Sequence, residues 1–154
     1  MLILCDVGEM FMKIENNFMK VAVDEAKKAL KIGEIPVGCA VFQNGVLISS
    51  AHNCRESKNN SILHAEIIAI SDACEKLGSW RLNDCVMYVT LEPCMMCMGA
   101  IVESRIKKVY FGTYNNSEQM YNKNKISKLV DCNLLENNEC ANLLSDFFKN
   151  KRKK

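Results

Sequence analysis

The stretch Val86-Met87-Tyr88-Val89-Thr90-Leu91-Glu92-Pro93-Cys94-Met95-Met96-Cys97 contains a strand followed by the start of a helix. Its first six residues form an apolar run with β propensity and the length of a strand. Pro93 follows at a position suited to the first turn of a helix. Cys94 and Cys97 are three residues apart at that helix start, so we expect both sulfur atoms to face the same side. The partial positive charge at this end of the helix favours thiolates.

A second helix is predicted to begin at His64-Ala65-Glu66. Apolar residues continue from there at helical spacing and predict a helix over residues 64–77. They are Ile67, Ile68, Ile70 and Ala73. The histidine and the two cysteines therefore lie at two helix N-termini, which we expect to meet at one metal ion.

His64, Cys94 and Cys97 together are a candidate zinc site. One imidazole and two thiolates leave the fourth tetrahedral position free for water, which is the arrangement of a catalytic zinc ion. Glu66 stands beside the histidine, where a carboxylate can move protons to and from that water. The cysteine pair alone also fits a structural zinc site, a redox pair or two buried thiols. A redox pair gives no role to the upstream His-x-Glu, and a Cys2His2 site would need His52, which we interpret as a surface histidine in a polar loop.

The other elements extend outward from these two helices. Helical spacing of apolar residues predicts a first helix from about Phe18 that ends before Gly33. Asn44-Gly45 between two apolar runs predicts a hairpin. The further predicted elements are strands at 40–43, 46–49, 86–91, 108–111 and 129–132, and helices that continue to 103 and span 138–149. Because strands and helices alternate, we predict an α/β protein with parallel strands in a sheet covered by helices. Residues 113–128 are polar and give no assignment.

The length of 154 residues fits one domain over residues 1–154, with residues 1–12 expected to be an extension without regular structure. No apolar run reaches membrane-spanning length and no signal peptide is recognisable, so we expect a cytoplasmic protein. The nine cysteines are then expected to be reduced, with Cys39, Cys74 and Cys85 in the core. The net charge of +2 does not by itself indicate a partner, but several cations gather at the C-terminus: Lys149, Lys151, Arg152, Lys153 and Lys154.

The order His-x-Glu and then Pro-Cys-x-x-Cys matches the signature of zinc-dependent nucleobase deaminases. Over roughly residues 18–148 the chain also resembles the bacterial tRNA-specific adenosine deaminases, which convert the wobble adenosine of an anticodon to inosine. The matching segments are residues 34–41, Asn53, 64–67, 88–97, 104–106, 111–112 and 139–148. Two segments depart from the family. Ile62 and Leu63 stand where the family has Thr or Ser with Ala, and residues 114–120 lack the glycines of the family loop.

This resemblance implies a cytidine deaminase-like fold, a three-layer α/β/α sandwich around a central mixed sheet of about five strands. It also implies a homodimer with one Zn2+ per subunit, an active site bordered by the partner subunit, and tRNA as the substrate through its anticodon stem-loop. By the same match, His64, Cys94 and Cys97 are the zinc ligands and Glu66 is the catalytic acid-base residue.

The resemblance further implies three substrate-binding residues. Asn53 matches the residue that hydrogen-bonds the base, Val37 matches an apolar wall of its pocket, and Ala65 matches a position beside the base. The sequence by itself also allows Asn53 to be an ordinary turn residue. We interpret Glu92 as a structural partner at the start of the cysteine helix.

Three functions remain open at this point. They are a tRNA adenosine deaminase, a deaminase of a free base or nucleoside such as guanine or cytidine, and a noncatalytic zinc module. Glu66 argues against the zinc module, because a structural site has no use for a carboxylate that is not a ligand. The basic C-terminus favours the first function over the second. Phe147 and Phe148 precede it and match family positions near the RNA surface, with packing of Phe147 into the core as the alternative.

Overall fold

The computed structural model describes residues 3–118 and 120–153. Its elements follow one another as α1 (Ile3–Lys31), β1 (Gly38–Gln43), β2 (Val46–His52), α2 (Ala65–Leu77), β3 (Cys85–Leu91), α3 (Met95–Glu103), β4 (Lys108–Thr113), α4 (Lys123–Ile126), β5 (Asp131–Leu134) and α5 (Asn138–Arg152). The elements predicted from the sequence are present, and apart from the start of α1 their bounds shift by at most three residues, which is common at element ends. The short α4 lies in the segment that gave no assignment.

The five strands form one sheet in the order β2-β1-β3-β4-β5. β1 pairs antiparallel with both β2 and β3, whereas β3 pairs parallel with β4 and β4 pairs parallel with β5. The mixed five-stranded sheet is therefore confirmed. The hairpin between β1 and β2 turns at Asn44 and Gly45, whose φ angles of 49° and 77° are both positive. This is the requirement that makes Asn-Gly the favoured two-residue turn.

Alternation along the strands divides the core into two parts. Cys39, Val41, Met87 and Val89 belong to one apolar cluster, which they share with buried residues of α2 and α3. The residues between them, on the other face of the sheet, pack with α1 and with α5 in a second cluster: Ala40, Phe42 and Tyr88. The sheet is thus covered on both faces, and the predicted three-layer α/β/α sandwich is confirmed.

Gly38 marks a close approach of β1 and α1. A Cβ atom at this position would lie 1.9 Å from the backbone oxygen of Ala22 and 2.5 Å from the nitrogen of Ala26. Only glycine allows the strand to pass this close to the helix backbone. The contact brings the loop before β1, which contains Val37, into a defined position next to α1.

The expectation that residues 1–12 lack regular structure is wrong for residues 3–12, which are the first turns of α1. Met1 and Leu2 lie outside the described residues. The side chains of residues 6–14 are exposed, so these turns extend beyond the packed body. They contain no proline, and helical hydrogen bonds within one segment need no packing partner to form. Although α1 is 29 residues long, none of the helices described for this chain is long and apolar enough to cross a membrane.

Candidate active site

The candidate zinc ligands lie where two helices begin. His64 is the N-cap residue of α2, Cys94 is the N-cap residue of α3, and Cys97 follows in the first turn of α3. Pro93 therefore precedes the N-cap, and its predicted place in the first helical turn is wrong by two residues. Because the positive ends of both helix dipoles lie at this point, negative charge on the two sulfur atoms is favoured here.

The distances within this cluster fit a zinc ion. His64 Nδ1 lies 3.7 Å from Cys94 Sγ and 3.5 Å from Cys97 Sγ. Zinc bonds of about 2.0 Å to nitrogen and about 2.3 Å to sulfur at tetrahedral angles place such atoms about 3.5 Å apart. A hydrogen bond from Cys97, assisted by the His64 ring, lowers the pKa of the Cys94 thiol to about 4. The three donor atoms are therefore suited in spacing and chemistry to hold zinc and to leave one position for water.

Glu66 lies in the first turn of α2 and is only 4% exposed. Its Oε2 is the one buried side-chain oxygen or nitrogen of the described residues that has no hydrogen-bond partner in the protein. Burial raises the pKa of this carboxyl to about 6. A buried polar atom without a partner is costly to stability. Its position is explained if the missing partner is a water molecule or a substrate.

A cavity of about 140 Å³ opens beside these residues. His64, Cys94 and Glu66 line it, together with Val37 and Asn53. The structure thus brings both residues into contact with the space above the candidate zinc site. Ala65 is fully buried and is not among the residues that line the cavity.

Asn53 follows the last residue of β2 and connects three segments of the chain. Its Oδ1 accepts a hydrogen bond of 2.9 Å from the backbone N–H of Ala65, at the start of α2. Its Nδ2 donates to the backbone oxygen of Ile35 at 3.3 Å. An amide nitrogen has two hydrogens, so one donor of Asn53 remains for a ligand. Asn53 is therefore more than a turn residue, because it holds the helix start that contains Glu66.

Several cavity residues were not identified from the sequence. Glu34 is almost fully buried, and its Oε1 accepts a 2.7 Å hydrogen bond from the backbone N–H of Ser57. Arg55, Asn115 and Lys151 also line the cavity. Of these, Glu34 adjoins Ile35-Pro36 and was within the family match, whereas Asn115 and Lys151 carry no local signal, because the cavity is the only feature that unites them.

Glu92 is a structural partner, but of a different segment from the one expected. Its carboxylate accepts hydrogen bonds from the backbone N–H of Asn115 at 3.3 Å and from the Tyr121 hydroxyl at 3.0 Å. The Lys123 ammonium lies 3.3 Å from the same carboxylate. Glu92 therefore fixes the connection between β4 and β5, and the structure gives its side chain no hydrogen bond to the start of α3.

The C-terminal helix contributes to the edge of the cavity. Lys151 lines it, and the Lys151 ammonium lies 5.3 Å from the centre of the Phe147 ring. Phe147 is half-buried and Phe148 is exposed, with their rings 5.4 Å apart. Neither ring belongs to the two buried core clusters. The alternative in which Phe147 packs into the core is therefore wrong.

His52 is the last residue of β2, so the interpretation of it as a surface histidine in a polar loop is wrong. Its Nδ1 lies 2.7 Å from Glu25 Oε2, and the Ser50 hydroxyl donates to Glu25 Oε1 at 3.0 Å. Although burial raises it, hydrogen bonds from His52, Lys28 and Ser50 lower the pKa of Glu25 overall. His52 joins α1 to the edge strand. Of the predicted core cysteines, Cys39 and Cys85 are buried and Cys74 is partly buried.

The fold and the His-Cys-Cys site match a known family. The model of the cytidine and deoxycytidylate deaminase zinc-binding region matches residues 12–113, which include all three candidate ligands and Glu66. The chain therefore belongs to this family of zinc-binding deaminases.

Individual relatives are more specific. The tRNA-specific adenosine deaminase of Bacillus subtilis (strain 168) is 45% identical over 147 residues, which cover 89% of this chain and 90% of the relative. A solved structure from a study of A-to-I editing by tRNA:A34 deaminases has a TM-score of 0.77 and 33% identity, covering 84% of this chain and 99% of that one. A guanine deaminase structure from Bacillus subtilis has a TM-score of 0.62 and 32% identity, covering 75% of this chain and 71% of that one. The resemblance to tRNA-specific adenosine deaminases is confirmed.

Proposed function

We propose that this protein is a zinc-dependent hydrolase that deaminates adenosine to inosine at the wobble position of a tRNA anticodon. The observation that supports hydrolytic deamination most strongly is the buried, unpartnered Oε2 of Glu66 beside three donors suited to zinc. The choice of tRNA is supported by the relatives that cover almost the whole chain. It is also supported by the cations Arg55 and Lys151 at the cavity, since contacts to RNA phosphates require positive charge.

In this proposal His64, Cys94 and Cys97 hold the zinc ion. When bound, zinc supplies a water molecule whose pKa is lowered toward neutrality. Glu66 takes a proton from this water through Oε2 and gives it to the ring nitrogen next to C6 as the water oxygen attacks C6. The second proton of the water passes through the same carboxylate to the amino group, which leaves as ammonia. Water and adenosine are thus converted to inosine and ammonia without a change in oxidation state.

The substrate-binding residues have distinct proposed roles. The free Nδ2 hydrogen of Asn53 donates to the base, and Val37 forms an apolar wall of the pocket. Ala65 contributes through its backbone, because its N–H holds the Asn53 amide in the orientation that presents this donor. An Asn53→Ala variant is therefore expected to lose both a contact to the base and the support of the α2 start.

Finer features of the proposal concern the assembly and its location. We propose a single domain with one zinc ion per subunit, a homodimer, and a cytoplasmic enzyme, where tRNA is found. Ile62 and Met95 support association, because both are exposed apolar residues that lie within two residues of a candidate ligand. Sedimentation of the purified protein across a range of concentrations tests the dimer.

A deaminase of a free base or nucleoside is the second candidate, and the likeness to a guanine deaminase structure favours it. Ammonia release from a wobble-adenosine anticodon stem-loop, free adenosine, cytidine and guanine, measured side by side, separates the two. We expect the stem-loop to be the preferred substrate and inosine to be the product, because a base in a loop avoids the cost of unstacking. Faster turnover of guanine or cytidine than of the stem-loop would assign the protein to the second class.

A further inference from the structure

A second cavity, of about 290 Å³, lies at the carboxyl ends of β4 and β5. Phe111, Tyr114, Tyr121 and Lys123 are among the residues that line it. Glu92 lines this cavity and also the cavity beside the candidate zinc site. The two spaces are therefore neighbours that share one buried side chain, and a ligand too large for the first extends naturally toward the second.

Tyr114 is the aromatic residue of this second cavity that is most open to solvent. It is 53% exposed, and its ring meets the Phe111 ring edge-on, with centroids 5.3 Å apart and an interplanar angle of 64°. The Lys123 ammonium lies 5.3 Å from the centre of the same ring. The following residue, Asn115, lines the cavity that contains Glu66. Tyr114 thus places an exposed aromatic ring one residue from the proposed catalytic space.

The ring is held in place by contacts of the neighbouring residues with Glu92. The backbone N–H of Asn115 donates to the Glu92 carboxylate, and its Nδ2 donates to the Glu92 backbone oxygen, both at 3.3 Å. Lys123 contacts both this carboxylate and the Tyr114 ring. Glu92 itself is 2% exposed and lies two residues before Cys94. An anchor beside the zinc site therefore positions the aromatic ring relative to that site.

We propose that Tyr114 is a stacking surface for the nucleotide next to the target adenosine. This inference rests on the proposed function and specifies how the RNA is held. Unpaired bases of RNA loops are bound by stacking on aromatic side chains, and positive charge close by favours the adjoining phosphate. Tyr114 lies in the segment that departs from the family loop, so the surface is a property of this chain's own sequence.

The test compares Tyr114→Leu with Tyr114→Phe in steady-state deamination of a wobble-adenosine stem-loop. Leucine still covers Phe111 but offers no flat ring, so we expect KM to rise by about 5- to 100-fold, the range associated with the loss of one base-aromatic stack. Phenylalanine should keep KM close to the wild-type value. Trp80→Leu is the matched control, because Trp80 is equally exposed and has Arg81 over its ring, but lines neither cavity.

Abasic stem-loops identify what the ring touches. Removing the base on one side of the target adenosine should raise KM for the wild type and add nothing in Tyr114→Leu, because the same contact is already absent. Equal effects of base removal in both proteins, or a wild-type KM for Tyr114→Leu with normal zinc content, would overturn the stacking role while leaving the proposed function intact. If the wild type releases no ammonia from any stem-loop, both proposals fail.

Discussion

The connection from β3 to α3 and the connection from β4 to β5 solve different problems. The first is three residues long, and its last residue, Cys94, is a zinc-ligand candidate at a helix start. The second spans residues 114–130 and is fixed by Glu92, which comes from the first. Spacing at a helix start determines the donor geometry in the first connection. Contacts between residues far apart in sequence determine the second.

This difference teaches that the chemistry and the substrate preference of the protein are separable. The donors and Glu66 belong to two helix starts whose geometry follows from helical spacing. The wall formed by residues 114–123 depends on a buried carboxylate that accepts donors of different kinds. The sequence of this wall can therefore depart from the family pattern as long as its contacts to Glu92 are kept.

Replacing a ligand should have the largest effect. We expect Cys94→Ala to weaken zinc affinity by more than about 100-fold, beyond the loss typical for residues that only support a ligand, and to abolish turnover. Stability should fall as well, because metal binding contributes to folding free energy. Metal analysis after dialysis and thermal unfolding check this. A Cys94→Ala protein that retains stoichiometric zinc would remove the basis of the comparison.

Removing the proton-transfer group should affect turnover alone. Glu66→Ala leaves all three donors in place, so zinc content and fold should stay unchanged while kcat falls by about 10²- to 10⁴-fold. Glu66→Gln serves as the isosteric control and should be similarly inactive, because an amide does not accept and return a proton in this way. Zinc loss from Glu66→Ala as extensive as that from Cys94→Ala would make Glu66 a ligand and the mechanism wrong.

Removing the anchor between the two connections should separate binding from chemistry. In Glu92→Ala the donors Asn115, Tyr121 and Lys123 lose their acceptor, and we expect KM for the stem-loop to rise about tenfold with a smaller change in kcat. Proteolysis within residues 114–123 should also become faster. Glu92→Gln, which keeps an acceptor oxygen, should recover part of the affinity. If Glu92→Ala instead loses zinc, the two connections are not separable.

Shortening α5 should have the smallest effect on the chemistry. Deleting residues 149–154 removes the cations that follow Phe148, and we expect weaker stem-loop binding with a salt dependence reduced by about 0.7 log units of slope per lost phosphate contact. Zinc content should not change. Replacing Lys149, Lys151 and Arg152 by Gln is the matched variant that keeps the helix. Unaltered affinity and salt slope in both variants would assign RNA binding to other parts of the surface.

The sequence by itself determined the elements whose signals are local. Asn44-Gly45 predicted the hairpin, since positive φ at both residues restricts the turn to few residue types. The spacing of His64, Glu66, Cys94 and Cys97 at two helix starts predicted the set of candidate donors, because residues three apart on a helix share one side. Such patterns need no knowledge of distant contacts.

Only the tertiary structure decided which distant residues complete the site. Asn115 and Lys151 reach the cavity from the β4–β5 connection and from α5, and no periodicity links them to His64. Glu92 was expected to support α3 and instead holds residues 114–123. The physical reason is the same in each case. Hydrogen bonds and packing between elements depend on how the chain folds back on itself, and residue spacing within one element contains no record of it.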